Sequence, residues 1–325
     1  MKKKIGIGLL GFGTVGRGVY TILKDNGSLI TERLKTQTGE DYEIEIKRIL
    51  VRNLDKYGSA LGSIGTNKIN DILNDDSINI VVEVMGGQEA AIDYMKKAMA
   101  AKKHVVTANK WALFKEQGAL EEYAVEAGVQ FRYEASVAGV LPIIRVLKEA
   151  MIGDRVEELK GIINGSTNYI LTRVAEGEDI DEVIKDSRKL GYLEADASSD
   201  LDGYDAKYKL GILCSLITGN YPKANEIERQ GISNISSADF QAARDQSARI
   251  KLIARISRDG EELTYSIKPE YVYKDEPLYN VNGSLNGIYI KFKNSGDMFL
   301  TGKGAGSLET GTAVISDIIS IARSI

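Results

Sequence analysis

The sequence predicts an α/β protein, in which a doubly wound parallel sheet is followed by a second, mixed α+β domain. Residues 1–132 alternate apolar, strand-like runs with helix-like segments, joined by short connections. Parallel strands linked by crossover helices give this pattern. From residue 133 onward strand-like runs cluster without regular crossover helices, which favours a separate domain over residues 133–304. The helical segment at about 305–325 is expected to pack back on the first domain.

The composition is typical of a globular protein of about two domains. Of the 325 residues, 43% are hydrophobic and 27% are charged, and the net charge of −4 contains no long block of one sign. This balance argues against binding to nucleic acid or to an anionic membrane. No run approaches the ~18 apolar residues that cross a bilayer. Cys214 and His104 are the single residues of their kinds, so we expect no disulfide, no transition-metal cluster and a cytoplasmic location.

The strands of the first domain are predicted from short apolar runs. The second run alternates at Ile44, Ile46 and Ile49, while the third is almost wholly apolar, as expected when helices cover both faces of a sheet. Five strands are predicted, at Lys4–Leu10, Ile44–Val51, Ile80–Val84, His104–Thr107 and Val129–Tyr133. The helices between them are predicted at Val15–Leu34, Glu89–Ala101 and Lys115–Ala127.

In the second domain Pro142 suits the start of a helix, because a first-turn residue needs no N–H. Helices are predicted at Pro142–Glu149, Thr167–Ala175, Asp181–Lys189 and Asp202–Ile217. Strands are predicted at Glu157–Ile163, Ile250–Ser257, Glu262–Lys268, Gly287–Phe292 and Met298–Thr301. A last helix is predicted at Gly311–Arg323.

A glycine-rich turn follows the first strand and opens the first helix. Its residues, which fit the pattern G-x-G-x-x-G, are Gly11, Phe12, Gly13, Thr14, Val15 and Gly16. In this setting the first glycine permits a tight turn, the second lets the backbone approach a pyrophosphate, and the third lets helix and strand pack closely. The N–H groups at the helix start then bind phosphate. The turn predicts a Rossmann-type domain that binds NAD or NADP, and a tight turn without a ligand is the alternative.

The choice of dinucleotide depends on the end of the second strand. An acidic residue there would bind the ribose hydroxyls of NAD, but the strand ends in Val51, Arg52 and Asn53. Arg52 could pair with the 2′-phosphate of NADP, and it could equally stack on adenine or stay in solvent. We expect NADP in preference to NAD. Gly86 directly follows the third strand, at the sheet edge where the cofactor should pass.

Asp205 and Lys209 stand four residues apart in a predicted helix. At this spacing two side chains neighbour each other on one helix face. They lie about a quarter turn from an apolar stripe that includes Leu210 and Leu213, so the pair should border the core. An ordinary surface ion pair, which would contribute little, is the alternative.

The segment from Gly191 to Lys209 resembles the signature of homoserine dehydrogenases, in which G-Y-x-E-x-D leads into D-x-x-G-x-D-x-x-x-K. Every key position of that signature is matched. Further matches follow in the family's order at residues 106–110, 134–142, 161–169 and 301–306, so the resemblance covers nearly the whole chain. The chain stops at Ile325, directly after the last predicted helix. We therefore expect it to lack the ACT regulatory domain that many members carry.

The resemblance implies reversible reduction of L-aspartate 4-semialdehyde to L-homoserine with NAD(P), in threonine and methionine biosynthesis. Hydride transfer to the carbonyl carbon leaves negative charge on the oxygen, and a lysine can stabilise and protonate that oxygen. Lys209 is the expected acid, and the base in the reverse direction. Lys110 is the expected second lysine, and Asp205 completes the catalytic set.

The resemblance also suggests how substrate and cofactor are held. Glu194 and Asp205 suit the ammonium of homoserine, with Asp200 as a weaker candidate. Gly165 and Ser166, in a strand-to-helix turn, suit its carboxylate. Outside the glycine-rich turn, the cofactor is expected to contact Arg52, Gly86, Lys110, Gly191 and Gly304.

Family members also bind a monovalent cation, usually sodium, in the segment that begins at Glu134. The ligands here would be the Glu134 carboxylate and the carbonyl groups of Val137, Gly139 and Leu141, since oxygen ligands suit a hard cation. A hinge ion pair is the alternative role for Glu134. Members generally dimerise through a sheet in the second domain, so we expect a homodimer.

Two other functions are open on the sequence alone. A different amino-acid or semialdehyde dehydrogenase would need another acid/base group, and His104 is poorly placed because it opens an apolar strand. A catalytically silent NAD(P)-sensing protein would keep the glycine-rich turn but could lose Lys110, Asp205 or Lys209. All three lysine and aspartate residues are present.

Overall fold

The computed structural model describes residues 2–57, 60–86, 89–193, 197–223 and 225–325. The chain divides into two compact units. Met1–Val140 and Gly306–Ile325 form the first unit, and Leu141–Ala305 form the second. The division follows Val140, whereas the sequence suggested a boundary after Arg132. Among the described residues, no helix has both the length and the apolar character required to cross a membrane.

Strands and helices alternate in the first unit. The strands are β1 (Lys3–Leu10), β2 (Tyr42–Leu50), β3 (Gly65–Thr66), β4 (Ile80–Glu83), β5 (His104–Thr107) and β6 (Phe131–Arg132). The helices are α1 (Thr14–Thr38), α2 (Asn70–Leu73), α3 (Glu89–Ala100) and α4 (Lys110–Ala127), with 3-10 turns at Gly62–Ile64 and Glu134–Ser136.

The six strands of the first unit form a parallel sheet in the order β3-β2-β1-β4-β5-β6. In the middle of the sheet Ile7 lies opposite Ile46 on β2 and Ile80 on β4. Every residue of β4 is buried, as expected for a strand covered on both faces. The predicted doubly wound sheet is confirmed. Its strand order reverses between β1 and β4, and open α/β sheets bind ligands beyond the carboxyl ends of the strands at such a point.

The second unit begins with α5 (Ile143–Arg145), which continues as a π-helical turn at Val146–Ala150. Its other helices are α6 (Gly165–Ala175), α7 (Ile180–Lys189), α8 (Ser198–Leu201), α9 (Tyr204–Thr218) and α10 (Ser237–Asp245). Its strands are β7 (Val156–Ile162), β8 (Ile227–Arg229), β9 (Ala248–Asp259), β10 (Glu262–Tyr273), β11 (Leu285–Phe292) and β12 (Gly296–Lys303), with a 3-10 turn at Pro277–Asn280. The final helix, α11 (Ser307–Ala322), belongs to the first unit.

The second sheet has the order β12-β11-β7-β9-β10-β8. Its neighbouring strands are antiparallel except for β8, which pairs with β10 in parallel. The helices α6, α9 and α10 pack against β9. A cluster of buried apolar side chains lies in this unit, formed by Ile162, Ile253, Val272, Leu278 and Val281. The unit is therefore mixed α+β, as predicted.

The C-terminal helix α11 packs directly on α1 within the first unit. A Cβ atom on Gly18 would lie 1.8 Å from the carbonyl oxygen of Ser307, so the close approach requires glycine there. The Ser307 hydroxyl donates to the carbonyl oxygen of Thr14 at 2.6 Å. This contact ties the last helix to the first turn of α1.

The structure differs from the predicted elements at several points. The elements β3, α2, α8, β8 and α10 were not predicted. Helix α4 begins at Lys110 rather than Lys115, because the Asn109 side chain caps its first turn and a kink at Glu116, with φ of −140°, interrupts the apolar pattern. Helix α9 begins at Tyr204, because Gly203 before it has φ of +80°. The predicted helix from Pro142 is replaced by α5 and the π-helical turn.

Candidate active site

The glycine-rich turn joins β1 to α1 in the first unit. Gly11 has φ of +102°, and a Cβ atom there would lie 2.8 Å from the Cα of Met85, so only glycine fits. A Cβ atom on Gly16 would lie 2.3 Å from the carbonyl oxygen of Gly11. Around the corresponding position on Gly13, no described atom lies within 4 Å. Two glycines thus serve the fold, while Gly13 leaves open space beside the turn.

This open space lies at the N-terminus of α1, beyond the carboxyl end of β1. Gly13 is the N-cap of α1, and since glycine has no side chain, the first turn has no side-chain cap. Thr14 is exposed and Val15 is half-buried. Backbone N–H groups at a helix start have no partners within the helix and carry partial positive charge, so they suit phosphate. The residues present therefore fit the pyrophosphate of a dinucleotide.

Aromatic and cationic side chains surround the same turn. The Phe12 ring packs edge-on against Tyr57, with centroids 5.7 Å apart. The guanidinium carbon of Arg17 lies 5.7 Å from the centroid of Phe12. Arg52 is exposed just after β2, and Gly86 is exposed after β4. Arg17 therefore places a positive charge beside the turn.

A buried carboxylate lies at the carboxyl end of β4. Glu83 is completely buried and accepts hydrogen bonds from the Thr107 hydroxyl at 2.6 Å and from the N–H of Met85 at 2.9 Å. Burial raises the pKa of Glu83, and these hydrogen bonds oppose that shift. The N–H of Asn109 donates to the Thr107 hydroxyl oxygen at 3.0 Å. These bonds fix the turn from which Lys110, half-buried, begins α4.

In the second unit, α9 carries Asp205 and Lys209 on one face. Nζ of Lys209 lies 2.8 Å from Oδ2 of Asp205 and donates to the carbonyl oxygen of Ile163 at 2.8 Å. The lysine and aspartate side chains are only 13% and 7% exposed. The pair therefore borders the core, as its spacing predicts, and it is not an open surface ion pair.

Asn164 connects this pair to a second carboxylate. It directly precedes α6 and is 5% exposed. Its Nδ2 donates to Oδ1 of Asp200 at 2.6 Å and to Oδ2 of Asp205 at 2.8 Å. Its Oδ1 accepts from the N–H and the hydroxyl of Thr167 at 2.8 and 2.9 Å. The turn between β7 and α6 thus brings together Asp200, Asp205 and Lys209.

The residues predicted to bind the substrate carboxylate open α6. Gly165 is the first residue of α6, and a Cβ atom on it would lie 2.8 Å from the carbonyl oxygen of Ser284. The Ser166 hydroxyl donates to the carbonyl oxygen of Tyr192 at 2.6 Å. This bond ties α6 to the turn at Gly191, whose φ is +76°. The hydroxyl proton of Ser166 is therefore engaged, which leaves the N–H groups of the turn as the better carboxylate donors.

Two other residues of the second unit were predicted to bind substrate or cofactor. Glu194 lies outside the described residues. Gly304 is half-buried, and a Cβ atom on it would lie 2.1 Å from Cγ of Asn286. Asn286 is completely buried, and neither side-chain amide atom has a hydrogen-bond partner among the described residues. The turn at Gly304 therefore packs closely on β11.

The segment that begins at Glu134 is deeply buried. Glu134 is 4% exposed and Val137 is completely buried. Ala138 and Gly139 have φ of +55° and +59°, so two consecutive residues adopt the left-handed conformation and redirect the backbone. Leu141 falls in the second unit. A buried carboxylate beside such a turn supplies the oxygen ligands that suit a hard cation.

Glu83 and Asn164 are functional candidates that the sequence alone does not predict. The sequence does contain a feature that could have indicated each residue. Glu83 is a charged residue at the end of an otherwise apolar strand. Asn164 directly precedes a helix, where asparagine is a favoured N-cap. The hydrogen bonds from Asn164 reach carboxylates 36 and 41 residues further along the chain. Contacts at such separations produce no periodic pattern in the sequence. Only the fold reveals them.

Two family models match the chain. The family described as "Homoserine dehydrogenase, NAD binding domain" matches residues 11–134, which include the glycine-rich turn. The family described as "Homoserine dehydrogenase" matches residues 142–319, which include Asn164, Asp205 and Lys209. The two matches together span most of the chain.

Individual relatives agree with these matches. A homoserine dehydrogenase from Synechocystis is 40% identical over 97% of this chain and 72% of its own length. The Bacillus subtilis enzyme is 36% identical over 99% of this chain and 73% of its own length.

Two solved structures are also similar. The crystal structure of a homoserine dehydrogenase from Thiobacillus denitrificans has a TM-score of 0.92 at 37% identity and covers 99% of this chain and 74% of that one. A hyperthermophilic archaeal homoserine dehydrogenase in complex with NADPH has a TM-score of 0.82 at 28% identity and covers 99% of both chains. The chain therefore belongs to the homoserine dehydrogenase family of NAD(P)-dependent oxidoreductases, which act on a CH–OH group.

Proposed function

We propose that Lys209 is the acid/base group for reversible reduction of L-aspartate 4-semialdehyde to L-homoserine. Asp205 is its partner, and Lys110 is a second positive charge for the substrate oxygen. The observation that carries this assignment is the buried ion pair of Lys209 and Asp205. A buried ion pair is a weak source of stability, and titratable pairs in such surroundings are frequent at functional sites.

Residues of the chain stabilise the charge that develops on the substrate oxygen and transfer the proton. NAD(P), held at the glycine-rich turn, supplies or accepts the hydride. The ammonium of Lys209 stabilises the negative charge that develops on the carbonyl oxygen and protonates it. In the reverse direction the Lys209 amine removes the hydroxyl proton. The carboxylate of Asp205 and the carbonyl of Ile163 hold Nζ in one place, which reduces the reorganisation that the reaction requires.

The substrate's own charges are matched by the residues around α6. Asp200 and Asp205 are assigned to the ammonium group, because their carboxylates converge on Asn164. The N–H groups of Gly165 and Ser166 are assigned to the carboxylate, since a helix start attracts anions. Glu194 stays a prediction for the ammonium.

The first test measures turnover of homoserine with each oxidised cofactor. The reaction is monitored by the absorbance of the reduced cofactor. Lys209→Ala is expected to lose about 10²- to 10⁴-fold in turnover, the usual contribution of a general acid or base. Lys207→Ala, on the same helix, is the matched control. Turnover of Lys209→Ala within about threefold of the parent would remove Lys209 from this role. No turnover in the parent, despite tight cofactor binding, would instead favour a sensing protein.

The preferred dinucleotide is proposed to be NADP, with Arg52 at its 2′-phosphate. The exposed position of Arg52 after β2 supports this, as does a relative described in complex with NADPH. Gly86, Gly191 and Gly304 are assigned to other parts of the cofactor. Arg52→Ala should raise the KM for NADP about tenfold or more and leave the KM for NAD little changed, since one charge-assisted contact is worth at least that. Equal effects on both cofactors, or the same effect from Arg33→Ala on α1, would contradict the assignment.

A monovalent cation is proposed to bind at Glu134, Val137, Gly139 and Leu141. The ion would brace the backbone of this segment and take no part in the chemistry. Sodium chloride should then raise the thermal unfolding midpoint more than choline chloride at equal ionic strength, and Glu134→Gln should abolish the difference. Equal midpoints in both salts for the parent would contradict a sodium site.

A cytoplasmic homodimer is proposed as the working state. Leu285, Phe299 and Tyr273 are 36%, 39% and 41% exposed on strands of the second sheet, and burial of such apolar surface against a second copy would be favourable. The cytoplasmic assignment is in keeping with Cys214, which is a buried free thiol. Sedimentation equilibrium should give about twice the chain mass of 35.5 kDa, and a single-chain mass at micromolar concentration would contradict the dimer.

A further inference from the structure

Asn164 is a buried amide between two acidic side chains at the site described above. We propose that Asn164 is a positioning residue that holds Asp200 and Asp205 together, both ionised, as the receptor for the substrate ammonium. The inference rests on the proposed function of this site and adds a residue to it. Asn164 acts through the two carboxylates, and it is assigned no contact with the substrate.

The orientation of the Asn164 amide follows from its hydrogen bonds. The N–H of Thr167 can only donate, so the atom of Asn164 that lies 2.8 Å from it must be the carbonyl oxygen. The NH2 group then faces Asp200 and Asp205, whose ionised carboxylates can only accept. Two N–H bonds meet two carboxylates at 2.6 and 2.8 Å. The helix cap therefore fixes which way the amide points.

Two carboxylates that converge on one amide group repel each other. In such a pair, repulsion favours protonation of one member unless hydrogen bonds or a cation stabilise the ionised forms. Asn164 donates to each carboxylate, and Lys209 places its ammonium on Asp205. These three contacts favour the ionised forms of both Asp200 and Asp205. A doubly ionised pair is what an ammonium group would bind best.

The same turn also positions Lys209. The carbonyl oxygen of Ile163 accepts from Nζ of Lys209 at 2.8 Å, and the next residue, Asn164, holds Asp205. Two consecutive residues between β7 and α6 thus fix both members of the ion pair. A change at Asn164 should therefore affect substrate affinity first, and the proton transfer to a smaller degree.

Two variants separate this role from helix capping. Serine is as good an N-cap as asparagine, but its shorter side chain cannot reach two carboxylates, so Asn164→Ser removes the bridge and keeps the cap. Asn164→Asp keeps the size and the cap, and it replaces both N–H donors with oxygen. Asn168→Ser is the structural control, because Asn168 lies on the same helix, is 1% exposed, and bonds Val281 and Leu285 instead.

The kinetic expectations differ between the three variants. Asn164→Ser should raise the KM for homoserine about 10- to 100-fold and lower kcat less, as for the loss of hydrogen bonds to charged groups. In Asn164→Asp a third negative charge should move the acidic limb of the kcat/KM profile by at least about one pH unit to higher pH. Asn168→Ser should lower the unfolding temperature without moving this profile. The affinity for NADPH should be unchanged in all three variants.

A binding measurement separates this inference from the proposed reaction. Homoserine is titrated calorimetrically into protein loaded with NADPH, a combination that cannot react. If the parent turns over homoserine, and Asn164→Ser matches it in KM and pH profile, the role of Asn164 is overturned and the reaction stands. If the parent does not turn over homoserine but Asn164→Ser weakens its binding about tenfold or more, the reaction fails and the role of Asn164 stands. If the parent neither binds nor turns over homoserine, both are overturned.

Discussion

Replacing Lys251 with methionine is expected to change how the stability of the second unit depends on pH. Lys251 is 1% exposed, and its Nζ donates to Oδ1 of Asn168 at 2.9 Å, the carbonyl oxygen of Val281 at 2.7 Å and Oδ1 of Asn282 at 3.1 Å. Burial, helped by the nearby charge of Arg249, lowers the pKa of Lys251 to about 7. An isosteric methionine removes the titrating group from this place.

The sign of the effect follows from the two protonation states. Between about pH 7 and the ordinary value of 10.5, the unfolded chain keeps a proton that the folded chain has released. Stability therefore rises with pH across this window and is lost again as the pH falls through 7. One pKa unit corresponds to about 1.4 kcal/mol, so the free energy of unfolding should gain roughly 2 kcal/mol between pH 7 and pH 9 from this residue alone.

Urea unfolding of the parent and of Lys251→Met at these two pH values measures the effect. The free-energy difference between parent and variant should move by roughly 2 kcal/mol in favour of the parent at the higher pH. Lys268→Met, a change at a lysine whose side chain is 40% exposed on β10, should show no such movement. A constant difference for Lys251→Met would refute the reasoning, because it would mean that the three oxygen atoms keep the lysine protonated throughout.

Two further changes test the first unit. Gly13→Ala should fold like the parent, since the added Cβ atom meets open space, but should weaken NADP binding about tenfold or more by blocking the close approach of phosphate. Gly11→Ala should instead lower the unfolding temperature, because its Cβ atom would lie 2.8 Å from Met85 at a positive φ; comparable unfolding temperatures for both variants would contradict this division. Glu83→Gln should cost about 1–3 kcal/mol of stability, because an amide has one acceptor oxygen and must lose the hydrogen bond donated by either the Thr107 hydroxyl or the Met85 N–H. An unchanged urea midpoint would show that the carboxylate is not needed there.

The sheet of the first unit could be predicted because its signals are strong and local. The apolar run at β4 implies a strand buried on both faces, and the glycine pattern implies a strand, a turn and a helix in fixed order. The shortest elements escaped prediction, because β3 and β8 contain two and three residues, too few for any periodicity. Pro142 indicated a helix start, but nothing in the pattern showed that the helix would continue as a π-helical turn.

Side-chain contacts in the candidate active site could be predicted from spacing only where the residues share one element. Asp205 and Lys209 lie on one helix, so their spacing alone places them side by side. Asn164 reaches the same carboxylates from another element, and hydrogen bonds over such separations follow from tertiary packing rather than from sequence spacing. Lys110 is a predicted site residue, but the sequence did not predict that it begins α4. The kink at Glu116 interrupts the apolar pattern from which the helix start was predicted.

The rate of hydride transfer in a single turnover tests the proposed role of Lys209 most directly. Protein loaded with NADPH is mixed rapidly with L-aspartate 4-semialdehyde, and the disappearance of the reduced cofactor is followed for the parent and for Lys209→Met. If Lys209 is the acid, the rate should be about 10²- to 10⁴-fold lower in the variant, with an unchanged affinity for NADPH. A rate within about threefold of the parent at every pH examined would contradict it.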